Sequence, residues 1–440
     1  MMPLFRLLPL VAALGAASVL PAHAQNLVEL YEAARAYDAP LQSAKSQYEA
    51  TLARAEQSRA GLLPSVGLAM SASRTAIDSS TRLPNSGFGS IGATVSASHP
   101  LYRPANRITF EQGQKSLEAA QAQLTVAEQD LVVRISQAYF DVLAAQDAVA
   151  FVAANKTAVS EQLASAKRNF EVGTSTITDT REAQARFDLV TAQQIAAEND
   201  LLVKKLALDQ LVGRPGTVPK PLLPPVNLPA LQPSEVSAWV NQAIEQHPAL
   251  RQAAVALEVA QFETRKAQAG HRPTLDLNGS VAMAANDGSS GTRVNTKSNT
   301  YTVALAFNLP LFTGYSVQNR VRETMALEDK ARSDLEAASR TISQNTRAAF
   351  FGVLSGQGQV KALEAAEVST QSALDANKLG YQVGVRINID VLNAQSQLFQ
   401  TKRDLARARY DVLVGGLRLR QANGTLKPED IQAINNLLVK

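Results

Sequence analysis

The sequence predicts an α+β fold in which one architecture is used twice. Three observations predict it. Residues 25–213 are written again as residues 236–424. Gly61-Leu62-Leu63-Pro64 returns as Gly270-His271-Arg272-Pro273, Pro100-Leu101-Tyr102 as Pro310-Leu311-Phe312, and Phe170-Glu171-Val172-Gly173 as Tyr381-Gln382-Val383-Gly384. Each copy holds stretches of about ten residues that alternate apolar and polar, the period of a strand. Each copy also holds a proline-free helical segment, residues 107–170 and 319–381. A helix of that length would reach roughly 95 Å. A repeat this long contains several elements, so it is no solenoid unit and suits an arrangement about an axis.

The elements follow in order. Residues 1–24 read as a secretory leader: Arg6, an apolar stretch Leu7–Leu20, then Ala22-His23-Ala24 as a small-x-small cleavage site. The mature chain is expected to start near Gln25. No later segment offers about 18 uninterrupted apolar residues, so no transmembrane helix is expected. In the first copy, Leu27–Tyr37 is a short amphipathic helix, and Asp38 and Pro40 suit the start of a second one running to Leu62. A strand hairpin follows over about 64–100, where Val66, Leu68, Met70 and Ala72, then Ile91, Ala93, Val95 and Ala97, alternate with small polar residues. The long helix 107–170 and a helix 179–212 complete this copy. Residues 214–233 carry seven prolines, so 214–235 is expected to be an extended strap. The second copy repeats the order: helices over 236–246 and 248–270, a strand hairpin over about 273–310, a long helix 319–381 and a helix 389–422. Residues 425–440 form a C-terminal segment.

Strands of about ten residues have the length of tilted membrane-spanning strands, though sandwich strands alternate in the same way. In the long helix, Leu131, Ile135, Ala138, Val142, Ala145, Val149 and Val152 fall at four-three spacing, and Ile342, Thr346, Ala349, Val353, Gly356, Val360 and Leu363 repeat it. That is a coiled-coil seam with small knobs.

Composition excludes several functions. The formal charge is +4 over 440 residues, which gives no argument for nucleic acid. Cysteine is absent, so disulfides, thiol catalysis and a lipid-modified cysteine are excluded. The four histidines, His23, His99, His247 and His271, have no metal-ligand spacing. There is no phosphate loop, nucleophile elbow or dinucleotide fingerprint. No enzyme and no cofactor are expected, and any active process would be driven by a partner.

Four strands cannot close a barrel, and open strand edges are not tolerated in hydrocarbon. If the strands span a membrane, several chains share one barrel. Two chains give eight strands, with an interior filled by side chains, and three give twelve, wide enough to be open.

At this point the chain resembles the TolC family of outer-membrane channel proteins. The stretches that carry the resemblance are residues 170–179 (FEVGTSTITD), 380–393 (GYQVGVRINIDVLN), 424–436 (GTLKPEDIQAINN) and 270–277 (GHRPTLDL). The resemblance implies a homotrimer with a twelve-stranded β-barrel, four strands from each chain, continued by an α-helical coiled-coil tunnel in the periplasm. It also implies an equatorial layer built from the short helices, the strap and the C-terminal segment. The implied function is a passive exit duct of the Gram-negative outer membrane for efflux pumps and type I secretion. The implied partners are outer-membrane lipid, a periplasmic adaptor and an inner-membrane transporter, either ABC-type or proton-driven.

Carried over by position, Tyr381 and Arg386 would tether the inner helix pair to Thr178 and Asp179 of the outer pair, and Asp390 would lie in an acidic ring at the constriction. Asp179 and Asp390 each follow a Gly-containing turn and open a helix, so each also suits a cap. Asn393 departs from the family pattern, which has a second aspartate there, and Glu182 is its repeat equivalent. The turns Val172-Gly173-Thr174 and Val383-Gly384-Val385 suit adaptor docking as well as turn geometry alone. The competing class is a structural or adhesive coiled-coil surface protein, which would have no need of four alternating strands in duplicated hairpins.

Overall fold

The structure is a computed structural model that describes residues 24–77, 86–288 and 294–439. The leader expected over 1–24 lies, but for its last residue, outside the described residues, as do the middles of the loops around 78–90 and 286–299.

Four strands form one antiparallel sheet in the order β1 (Ser65–Ile77), β2 (Ser86–Tyr102), β3 (Thr274–Asn286), β4 (Thr296–Asn308). They are longer than the ten residues their alternation suggests. Gly87 and Gly89 add no apolar period, yet their backbones pair with Ala76 and Arg74 and so extend the ladder. The register puts Met70, Ala93 and Met283 in one row and Leu68, Val95, Val281 and Tyr301 in the next, all on one face. The other face carries Ser71, Thr94, Ser96, Asn278, Ser280 and Thr302, which are small or hydroxylated. One protomer leaves the apolar face bare, with Val303 84% exposed and Met70 77% exposed. That face suits hydrocarbon and its reverse suits a watery lumen. β1 and β4 keep free edges, which barrel closure with further chains satisfies. Among the described residues, no helix is long and apolar enough to cross a membrane.

Beneath the sheet run α3 (Pro104–Glu171) and α7 (Ser316–Gln382), of 68 and 67 residues, each roughly 100 Å long. At the join, Arg103 donates from Nε and Nη2 to both carboxylate oxygens of Asp276, at 2.6 and 2.7 Å. The short helices α1 (Leu27–Tyr37), α2 (Ala39–Arg59), α5 (Val236–Gln246) and α6 (Pro248–Ala269) lie along the long ones. The turning helices α4 (Ile177–Val212) and α8 (Asn388–Ala422) pack back antiparallel to α3 and α7. A last short helix, α9, spans Asp430–Asn435.

The main core sits part-way down α3. Leu131, Ile135, Tyr139, Phe140 and Leu143 of α3 meet Leu27 and Leu30 of α1, Tyr410 and Leu417 of α8, and Leu222 of the strap. Leu426, Ile431 and Leu438 close it from the C-terminal side. The strap stays extended because its prolines deny it helical bonds. It binds instead as single rungs: Gln25 N donates to Val218 O (2.8 Å), Leu223 N to Leu437 O and Val439 N to Pro221 O (both 2.9 Å). Chain start, strap and chain end thus form one belt around the helices.

Asp38 ties the α1–α2 junction to α3. It caps α2 by accepting from Leu41 N at 3.0 Å, and Arg134 donates to both its oxygens at 2.9 and 2.8 Å. The Arg134 hydrogen bonds, aided by the cap, hold its carboxyl below the usual range against the opposing effect of burial. A depressed carboxyl stabilises the fold above its unfolded pKa, and that contribution is lost as pH falls through the folded one. Asp38→Asn is therefore expected to cost about 2 kcal/mol at neutral pH. In thermal unfolding, the gap between wild type and variant closes as pH drops below about 4. A gap that stays constant down to pH ~2 would show that the charge of Asp38 contributes nothing.

Candidate functional site

The far ends of the long helices carry the sequence-derived site. α3 turns into α4 through residues 172–176, and α7 into α8 through residues 383–387. Both turns use a glycine in the left-handed region, Gly173 at φ 80° and Gly384 at φ 76°. The tip residues Val172, Gly173, Thr174, Val383, Gly384 and Val385 are all exposed.

The helix that follows each turn starts differently. Thr176 caps α4: its Oγ1 accepts from Asp179 N at 3.2 Å, while Asp179 accepts from Ser175 Oγ (2.7 Å), Thr176 Oγ1 (2.8 Å) and Thr176 N (3.0 Å). These bonds, Ser175 foremost, hold the Asp179 carboxyl below its ordinary range. The counterpart of Thr176 is Ile387, which has no side-chain oxygen, so α8 begins without a side-chain cap. Asp390 is therefore free of the box that occupies Asp179. It faces Arg386 one turn back, Nη1 to Oδ2 at 3.7 Å, with the guanidinium largely exposed.

Within one protomer the tether expected from Tyr381 and Arg386 to Thr178 and Asp179 is not made. Asp179 directs Oδ2 to its own turn, Thr178 is exposed, and Arg386 pairs with Asp390 of the helix that follows it. The hairpins are joined by other groups. Asn169 Nδ2 of α3 donates to the Tyr381 hydroxyl of α7 at 3.2 Å. Arg186 Nη2 of α4 donates to Asn393 Oδ1 of α8 at 2.6 Å. Gln162 of α3 donates to the buried Asn388 of α8. Apolar packing backs these bonds, with Leu392 of α8 set among Val159, Leu163, Ala183 and Val190. Glu182 is exposed and holds no contact to Asn393. Sequence reasoning missed Asn169 and Arg186; the only signal for either was a polar residue one or more turns from an expected site residue.

The profile of the outer membrane efflux protein family matches residues 30–214 and again 239–425. The chain belongs to the outer membrane efflux protein family. It is 33% identical to the outer membrane protein TolC of Vibrio cholerae, over 98% of both chains. It is 28% identical to the alkaline protease secretion protein AprF of Pseudomonas aeruginosa, over 94% of this chain and 87% of that one. In structure it matches the CmeC outer membrane channel of Campylobacter jejuni with a TM-score of 0.80 at 18% identity, over 94% of this chain and 90% of that one. The fold is thus that of the trimeric channels: four strands per chain in a shared barrel, continued by a helical tunnel, in the outer membrane with the tunnel in the periplasm. Membership indicates transport rather than catalysis.

Proposed function

We propose that this chain forms the exit duct of tripartite efflux and type I secretion machinery and that its tunnel is gated at the helix tips. Relatives named for alkaline protease secretion and for cation efflux support a duct that serves both polypeptide and small cargo. The observation that carries the gate is the divergence of the two turns. Asp179 is engaged in its cap through Oδ2, while Asp390 is left to an exposed, loosely held arginine. Three Asp390 carboxylates about the axis form the acidic ring, and ring carboxylates favour cations. Arg386 restrains each one, and its exposed face is open to the Thr178–Asp179 turn of an adjoining protomer. Exposed pairs of this kind contribute up to about 1 kcal/mol, so a docking partner can release them. The partners that fit are a periplasmic adaptor at the tips 172–174 and 383–385 and an inner-membrane transporter that supplies the energy.

Conductance of the purified trimer in planar bilayers tests the gate. Arg386→Ser is expected to raise it on the order of fivefold, the population change that ~1 kcal/mol produces. Unchanged conductance in that variant would count against the gate.

A further inference from the structure

The two turns at the tips share one backbone pattern, and among the side chains that differ one stands at its base, Asn169 against Gly380. Asn169 O accepts from Thr174 N at 2.8 Å, and its repeat counterpart Gly380 O accepts from Val385 N at 2.9 Å and Arg386 N at 3.1 Å. The following glycines close both turns alike, Gly173 N on Phe170 O at 3.0 Å and Gly384 N on Tyr381 O at 3.1 Å. With the backbones matched, a second asymmetry beside the Thr176–Ile387 difference lies in what stands at this shared position.

In the first copy it is an amide that leaves its own hairpin and donates to the Tyr381 hydroxyl. In the second it is glycine, and a Cβ there would sit 2.7 Å from Arg386 Cγ. That atom is too near the backbone for the arginine to swing clear without changing rotamer. One copy therefore reaches across, and the other makes room for the gating cation.

We propose that Asn169 is a positioning residue of the aperture, latching α3 to α7 through Tyr381, and that Gly380 is the seat that places Arg386. The inference rests on the gate reading above. Because the tyrosine oxygen accepts from Asn169, its own hydrogen stays free to donate to a carboxylate. The amide thus fixes the ring and aims the phenol together.

A double-mutant cycle on the full-length trimer in planar bilayers tests this, with Asn169→Ala, Tyr381→Phe, the pair, Gly380→Ala, and Arg386→Ser as reference. Each latch variant is expected to raise conductance on the order of fivefold, as loss of one net hydrogen bond implies. The pair should rise no further than Tyr381→Phe alone, which already removes the Asn169 bond together with the phenol's own donation. Gly380→Ala should match Arg386→Ser. Thermal midpoints near wild type confirm that the variants are folded trimers, and Asn169→Ser replaces Asn169→Ala if the latter does not assemble. Wild-type conductance in the Asn169 variant, or fully additive effects, overturns the latch while an open Arg386→Ser leaves the gate reading standing. Wild-type conductance in Arg386→Ser as well overturns both.

Discussion

Phe140→Ala is expected to destabilise the protein by about 3–5 kcal/mol per protomer, the cost of emptying an aromatic core site that cannot collapse. Phe140 is 1% exposed in the main core. Its ring stacks on Tyr410 of α8 with centroids 5.5 Å apart and meets Tyr139 edge-on at 5.5 Å. It therefore joins α3, α8 and the belt at one point. Relaxation is blocked on two sides: Tyr139 is held by its bond to Lys220 O at 2.7 Å, and Tyr410 donates to Asp147 at 2.6 Å. The check is chemical and thermal unfolding of the purified trimer, with Phe140→Leu as the milder truncation, expected to cost less than the alanine variant because more of the site stays filled. A loss below ~1 kcal/mol in the alanine variant would mean that the belt, and not this ring, carries the junction.

The second large effect concerns cation block. On the proposed gate, an aspartate in place of Asn393 would add three negative charges to the constriction of a trimer. The structure adds a cation at the same level, because Arg186 donates to Asn393. Asn393→Asp alone would hand Arg186 an ion-pair partner, and the new charge would be partly spent on it. Arg186→Gln with Asn393→Asp is expected to expose the full second ring. The double variant should then be blocked by cobalt hexammine at a concentration at least on the order of tenfold below that for wild type, since a trivalent cation gains ~1 kcal/mol or more from each nearby carboxylate even in water. The single variant should fall between. Titrating single-channel conductance with the complex separates the three proteins; equal block in all of them would show that this level does not face the conducting path.

Much of this was legible in the chain. The duplicated stretches announce two matched halves, and change of period marks where strand becomes helix. Gly173 and Gly384 mark turns because only glycine takes a positive φ cheaply. The aspartates after them were ambiguous between cap and gate. The ambiguity resolves on neighbours: Thr176 can accept a backbone hydrogen bond and Ile387 cannot, so one aspartate joins a capping box and the other does not. The cross-helix bonds were not legible. Arg186 and Asn393 lie 207 residues apart, and Asn169 and Tyr381 lie 212 apart. Which faces meet depends on how each helix is rotated about its axis, and small-residue seams leave that rotation weakly specified.

The sequence by itself determined the elements, their duplication and their membrane-compatible face, because periodicity and backbone chemistry are local properties. Only the tertiary structure decided what the two copies became. Phe140 and its counterpart Phe351 occupy the same place in the same repeat, each edge-on to the preceding aromatic. One is 1% exposed and the other 55% exposed in the protomer. The difference is the belt: the strap and the C-terminal segment exist once per chain, and with α1 they close the core around Phe140 while Phe351 stays uncovered. Burial is a property of what lies opposite a residue, and a duplicated segment cannot encode two different opposites.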